Sequence, residues 1–180
     1  MKTLPFNKKN SFIFIFFIFI IFVAFFLYKQ NEINKKKDTG PNLYQFAPNF
    51  ETEYLNGEKF VLYDLKGTPV ILNFWATWCP PCVREMPLLQ RIYEENQGKI
   101  IVIGVNMQED EETINKFLNT KVNITFPIIL DKNGKIVESY NILVKPTTFF
   151  IDKNSIIADK KLGELSEKEI EEKGKFFEFE

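Results

Sequence analysis

The run Val70-Ile71-Leu72-Asn73-Phe74-Trp75 is of the kind expected for a β-strand buried on both faces, and such a strand requires cover from both sides. After a short loop, Pro80-Pro81 opens a helical pattern in which Met86, Leu89, Ile92 and Tyr93 recur every three to four residues until Asn96-Gln97-Gly98 stops it. Strand, loop and helix are therefore the unit around which the chain must fold. The loop and first helical turn hold both of its cysteines, Cys79 and Cys82.

The residues on either side extend this unit into a sheet. Phe50 to Tyr54 and Lys59 to Tyr63 alternate around Asn56-Gly57, which predicts a β-hairpin. Ile100 to Val105 reads as a second buried strand, Glu109 to Asn119 as a charged amphipathic helix, and Phe126 to Leu130 as a third strand ending in the turn Asp131-Lys132-Asn133-Gly134. Thr147 to Ile151 and Ile156 to Lys161 predict a second hairpin around Asp152-Lys153-Asn154-Ser155. Ser166 and Glu169 form a capping box for a last helix that stops near Gly174. Strands alternating with helices and closed by a hairpin and a helix predict an α/β fold, a central mixed β-sheet flanked by helices on both faces.

A different environment is predicted for the N-terminus. Phe12 to Tyr28 is an unbroken run of 17 apolar or aromatic residues between Lys8-Lys9 and Lys29. At about 1.5 Å per residue it spans roughly 25 Å, near the lower limit for crossing a bilayer. A cleaved signal peptide is the rival reading, but Ala24 is followed by Phe25, Phe26, Leu27 and Tyr28 instead of small residues, which favours an uncleaved transmembrane signal anchor. Lysines on both sides leave the orientation open by the positive-inside rule. The predicted organisation is an N-terminal tip and anchor over 1–28, a solvated linker over 29–42, and one folded domain over 43–180.

Composition then removes several chemistries. The 152 residues after the apolar run carry a net charge of −4, so a nucleic-acid surface is not indicated. There is no histidine, hence neither the commonest metal ligand nor the usual general base near neutral pH. A C-x-x-C pair is half of a tetrahedral zinc site, but no other Cys or His exists to complete one. The pair sits where a buried strand hands over to a helix, and the free N–H groups and positive dipole end of a helix N-terminus favour thiolate over thiol. Cys79, first in the loop, is the expected nucleophile, and Cys82, one turn inside the helix, the expected resolving cysteine. Neither Pro80 nor Pro81 has an N–H to offer the Cys79 sulfur, so its thiolate should be only moderately stabilised and the pair should act as a reductant. Glu85, three residues after Cys82, falls on the same helical face as the sulfur pair, and Trp75 reads as core packing beside the loop.

Three segments in order resemble membrane-anchored thiol-disulfide oxidoreductases of the TlpA/ResA type: Leu72-Asn73-Phe74-Trp75-Ala76-Thr77-Trp78-Cys79, Glu85-Met86-Pro87, and Pro146-Thr147-Thr148-Phe149-Phe150-Ile151-Asp152. The likeness runs from about Phe46 to Glu172 and implies a thioredoxin-like fold. It implies that Pro146 is a cis-proline lying against the cysteine pair, with Trp78 and Thr147 beside it as substrate contacts. Asn73 stands where thioredoxins proper place a buried aspartate and cannot titrate, and Glu85 matches the family's cavity glutamate, held to move protons or adjust thiol acidity. The terminal Phe176-Phe177-Glu178-Phe179-Glu180 departs from the usual end of the family's last helix.

The resemblance further implies a protein-disulfide reductase that needs no cofactor beyond the redox-active Cys79/Cys82 pair. Its catalytic domain would lie on the extracytoplasmic side of the cell membrane, fed by a membrane thiol electron donor of the CcdA or DsbD kind. Its substrates would be disulfides of exported proteins, such as apocytochrome c in cytochrome c maturation. The alternatives are a thiol peroxidase, a disulfide-forming oxidase and a non-enzymatic tethered binding or copper-delivery module. Peroxiredoxins share the fold but need Pro and Thr or Ser seven and three residues before the reactive cysteine, where this chain has Leu72 and Ala76. The oxidases' usual histidine between the cysteines is missing.

Overall fold

The structure, a computed structural model, describes the backbone of residues 8–174 and the side chains of 15–30, 38–170 and 172. The N-terminal tip and the Phe-rich tail 176–180 lie outside the described residues. The chain divides into two units, Met1–Asp38 and Thr39–Glu180.

The first unit is the helix α1, Lys8–Lys37. Every described side chain from 15 to 30 is exposed, so the apolar run presents no core-facing stripe. Among the described residues no helix is long and apolar enough to cross a membrane. The run's first three residues, Phe12 to Phe14, lie outside the described side chains. The helix passes through most of the stretch expected to be a linker, because nothing between Lys29 and Lys37 breaks it; Gly40-Pro41 comes only after its end.

The second unit is built on five strands. β3 (Val70–Trp75) is buried at all six positions and lies at the centre of a sheet in the order β5-β4-β3-β6-β7, where β4 is Ile101–Met107, β5 Ile128–Asp131, β6 Thr147–Ile151 and β7 Ile157–Leu162. β3, β4 and β5 are parallel, whereas β6 pairs antiparallel with β3 on one side and with β7 on the other, which is the expected mixed sheet. The hairpin strands β1 (Glu51–Glu53) and β2 (Lys59–Val61) form their own antiparallel pair. They are shorter than expected because the chain leaves the hairpin for the sheet edge: Tyr54 bridges Ile129, and the Leu55 N–H donates to the Ile128 carbonyl at 2.9 Å.

Strand alternation sends Asn73 and Trp75 to one face and Phe74 to the other. On the first face lie the helices α2 (Pro80–Glu95) and α3 (Glu111–Lys121), reached through the Asn73–Glu85 hydrogen bond and the Trp75–Phe117 ring contact. On the second, Phe74 packs against Phe149 and Tyr140, and Tyr140 against Phe50, whose ring meets Phe60 of the hairpin. Tyr140 follows a short helix where the sequence predicts only a turn, α4 (Lys135–Ser139), held by Asp131 accepting from the N–H groups of Ile136 and Val137. The last helix, α5 (Glu167–Gly174), starts from the expected capping box, with Ser166 and Glu169 bonded to each other. The free edge of β7 is bridged by the segment around Phe46, which explains why the folded unit begins at Thr39 and not at Leu43.

Candidate active site

The C-terminal end of β3 delivers Cys79 to the N-cap of α2 in extended conformation, with Pro80 and Pro81 at the first two helical positions and Cys82 at the third. Proline fits there because its fixed φ is already helical and its missing N–H would have no intrahelical acceptor. Cys79 and Cys82 are joined by a disulfide, S–S 2.03 Å and Cα–Cα 5.3 Å. Both are buried in this oxidised form, Cys79 at 4% exposure and Cys82 at 0%. The amide of Cys82 donates to the Cys79 sulfur at 3.3 Å. Having no N–H, the two prolines add nothing to it, as the sequence predicts.

Glu85 lies one turn on from Cys82 in α2 and is 1% exposed, so it is no solvated surface carboxylate. One oxygen accepts from the Asn73 side-chain amide at 2.7 Å and the other from the backbone N–H of Leu165 at 2.7 Å. The same Asn73 amide donates to the Thr148 hydroxyl at 2.9 Å, which fits their pairing across β3 and β6. Burial pushes the Glu85 carboxyl up from 4.5 to about 7, against the opposing pull of the Leu165 and Asn73 donors. Asn73 thus holds this acid in place without titrating itself.

The rim is built by the loop before β6. The Lys145–Pro146 bond is cis, and Pro146 is buried with its carbonyl accepting from the Gly163 N–H at 2.8 Å. Trp78 is 63% exposed, and the Lys145 ammonium sits 5.6 Å from its ring centroid. Leu143 and Val144 are exposed beside Lys145 in the chain. The Thr147 side chain is turned inward, its hydroxyl donating to the Val144 carbonyl at 2.7 Å, so it supports the loop and presents no hydroxyl to a substrate. Trp75 is fully buried against Phe117, and its indole N–H has no hydrogen-bond partner among the described residues.

The sequence pattern does not reveal the part played by Glu109. Periodicity makes it the first residue of α3, yet Asp110 caps that helix by accepting from the Thr113 N–H at 2.7 Å. Glu109 turns the other way and accepts from both the backbone N–H and the hydroxyl of Thr77, two residues before Cys79, and from the Asn106 side-chain amide at 2.8 Å. Its position just beyond the C-terminal end of a parallel strand, where α/β sheets place their sites, is the signal that could have found it. Among the described residues no cluster of three Cys, His, Asp or Glu side chains could hold a metal ion.

A strand-to-helix disulfide flanked by an exposed aromatic, a cis-proline and a buried carboxylic acid is suited to exchanging disulfides with another polypeptide. Comparisons with known proteins agree. Residues 43–160 match the model of the AhpC/TSA family. The chain is 36% identical over 168 residues to the thiol-disulfide oxidoreductase ResA of Bacillus cereus, covering 91% of this chain and 95% of that protein. It is 41% identical over 141 residues to the thioredoxin-like protein YneN of Bacillus subtilis, covering 77% and 82%. Among solved structures, StoA from Bacillus subtilis superposes with a TM-score of 0.61 at 29% identity, covering 69% of this chain and 95% of that one. A thiol:disulfide interchange protein DsbE from Chlorobium tepidum gives 0.68 at 26% identity, covering 75% and 95%.

Proposed function

Because the chain belongs to the AhpC/TSA family and to the ResA-type thiol-disulfide oxidoreductases, we propose that its Cys79/Cys82 pair runs in the reducing direction on exported proteins outside the cytoplasmic membrane. The observation that carries this reading is the donor-poor setting of Cys79, to which the amide of Cys82 donates while the two prolines add none. A thiolate with few donors is a less stabilised reduced form, and that lowers the reduction potential.

In the reaction, the reduced Cys79 thiolate attacks one sulfur of a substrate disulfide, and the other sulfur leaves as a thiol after taking a proton. Cys82 then attacks the Cys79 sulfur, releases the second substrate thiol and restores the Cys79–Cys82 bond. Glu85, buried near neutrality on the face of the helix that carries Cys82, is the group suited to take the Cys82 proton. A membrane thiol donor of the CcdA or DsbD kind would return the two electrons.

The proposed anchor is the helix carrying Phe12 to Tyr28. It is supported by the exposure of its described apolar side chains all round, and by the ResA alignment, which covers more of the chain than the folded unit alone supplies. A domain outside the membrane is the reading in keeping, by analogy, with a membrane thiol donor, and apocytochrome c is the candidate substrate. Insulin reduction and the midpoint potential test the reading. A potential nearer the about −270 mV of thioredoxin than the about −120 mV of DsbA is expected, and a DsbA-like value would overturn it. A Cys82→Ser chain expressed at its natural site should hold the substrate as a mixed disulfide on Cys79.

A further inference from the structure

Resting on the reductase reading, we propose that Lys145 selects substrate segments carrying an acidic side chain next to the cysteine under attack. The geometry sets the Lys145 ammonium beside the cysteine loop. Lys145 precedes the cis-proline, is exposed, and holds its ammonium over the face of Trp78, which itself is 63% exposed one residue before Cys79. The ammonium thus stands against the exposed side chain that directly precedes Cys79, where it can meet a peptide brought to that sulfur.

The neighbouring charges leave Lys145 available. Arg84, on the first turns of α2, is engaged in a two-pronged pair with Glu164. Glu109 is occupied by Thr77 and Asn106. Among the described residues Lys145 has no ion-pair partner, and its ammonium rests on the Trp78 ring. A cation so placed attracts an acidic side chain beside the substrate cysteine and repels a basic one, while exposed Leu143, Val144 and Trp78 offer apolar cover to the residues around it. The contact is solvent-exposed, so its influence should be modest, strongest at low salt, and screened as salt rises.

The test uses the full-length chain in mild detergent, reduced with dithiothreitol and freed of excess reductant. Three peptides of otherwise identical sequence carry Asp, Asn or Lys beside a single cysteine that is linked as a mixed disulfide to a coloured aromatic thiol. Cys79 attacks the peptide sulfur and expels the coloured thiol; Cys82 then attacks Cys79 and frees the peptide thiol, so each turnover oxidises one Cys79/Cys82 dithiol. The Asp peptide should react about five- to tenfold faster than the Lys peptide at low ionic strength, with Asn between them, and the gap should narrow in high salt. Lys145→Glu should invert the order. If all three peptides react at equal rates with both proteins, the selectivity proposal is wrong while the reductase stands; if none reacts with the wild-type chain, it is the reductase reading that fails.

Discussion

Replacing Glu85 by glutamine should remove a pH dependence of stability that the buried carboxyl imposes on the oxidised protein. Its pKa is about 7 in the fold, because burial disfavours the charged form, against 4.5 when free. Between those values the folded chain holds a proton there and the unfolded chain does not, so unfolding releases a proton and stability falls as pH rises. The loss is about 1.4 kcal/mol per pH unit over about 2.5 units, or roughly 3 kcal/mol, fully developed above pH about 7 and absent below about 4.5. A glutamine side chain in its place keeps an oxygen to accept from Leu165 or Asn73 and has no charge to desolvate. Urea unfolding of the oxidised full-length chain from pH 4 to 8 measures this. The wild type should lose about 3 kcal/mol more than Glu85→Gln across the range, and the rate of substrate reduction should lose an inflection near neutrality in the variant. Parallel stability curves for the two proteins would refute the claim that the fold holds this carboxyl protonated.

Two further perturbations probe the frame around the cysteines. Glu109→Ala leaves the N–H and hydroxyl of Thr77 and the amide of Asn106 without their acceptor, and should cost on the order of 2 kcal/mol in urea unfolding together with slower insulin reduction; an unchanged midpoint would show that Glu109 does not hold the loop. Gly104→Ala should cost about 1–3 kcal/mol, since the added methyl would come within 2.6 Å of the Ile128 side chain and 2.9 Å of the Trp75 indole nitrogen, and a neutral result would mean that the core beside Trp75 yields.

What could be read from the sequence, and what could not, divides by the range of the interactions involved. β3, the proline-led start of α2 and the capping box of α5 are set by neighbours in the chain, and they stand where local pattern puts them. Pairing between distant segments moved the rest. β4 runs to Met107 because its register with β3 places Asn106 opposite Trp75, and that same register brings Glu109 back to Thr77. β5 starts at Ile128, after Pro127, whose missing N–H cannot join a ladder, and Asp131 at its end accepts from the Ile136 and Val137 N–H groups of α4 instead of serving only as a turn residue. The candidate site shows the same division. Cys79, Cys82 and the helical face of Glu85 follow from spacing within one helix. The burial that raises the Glu85 carboxyl does not, and neither do the donors that oppose it, Asn73 on one side and the backbone of Leu165, 80 residues away, on the other. A helix read alone would leave Glu85 free to face water; its burial in the folded chain is what makes it an acid able to exchange protons at neutral pH. The reactivity of the cysteine pair is thus written in a local motif, while its coupling to protons depends on a burial that exists only in the folded chain.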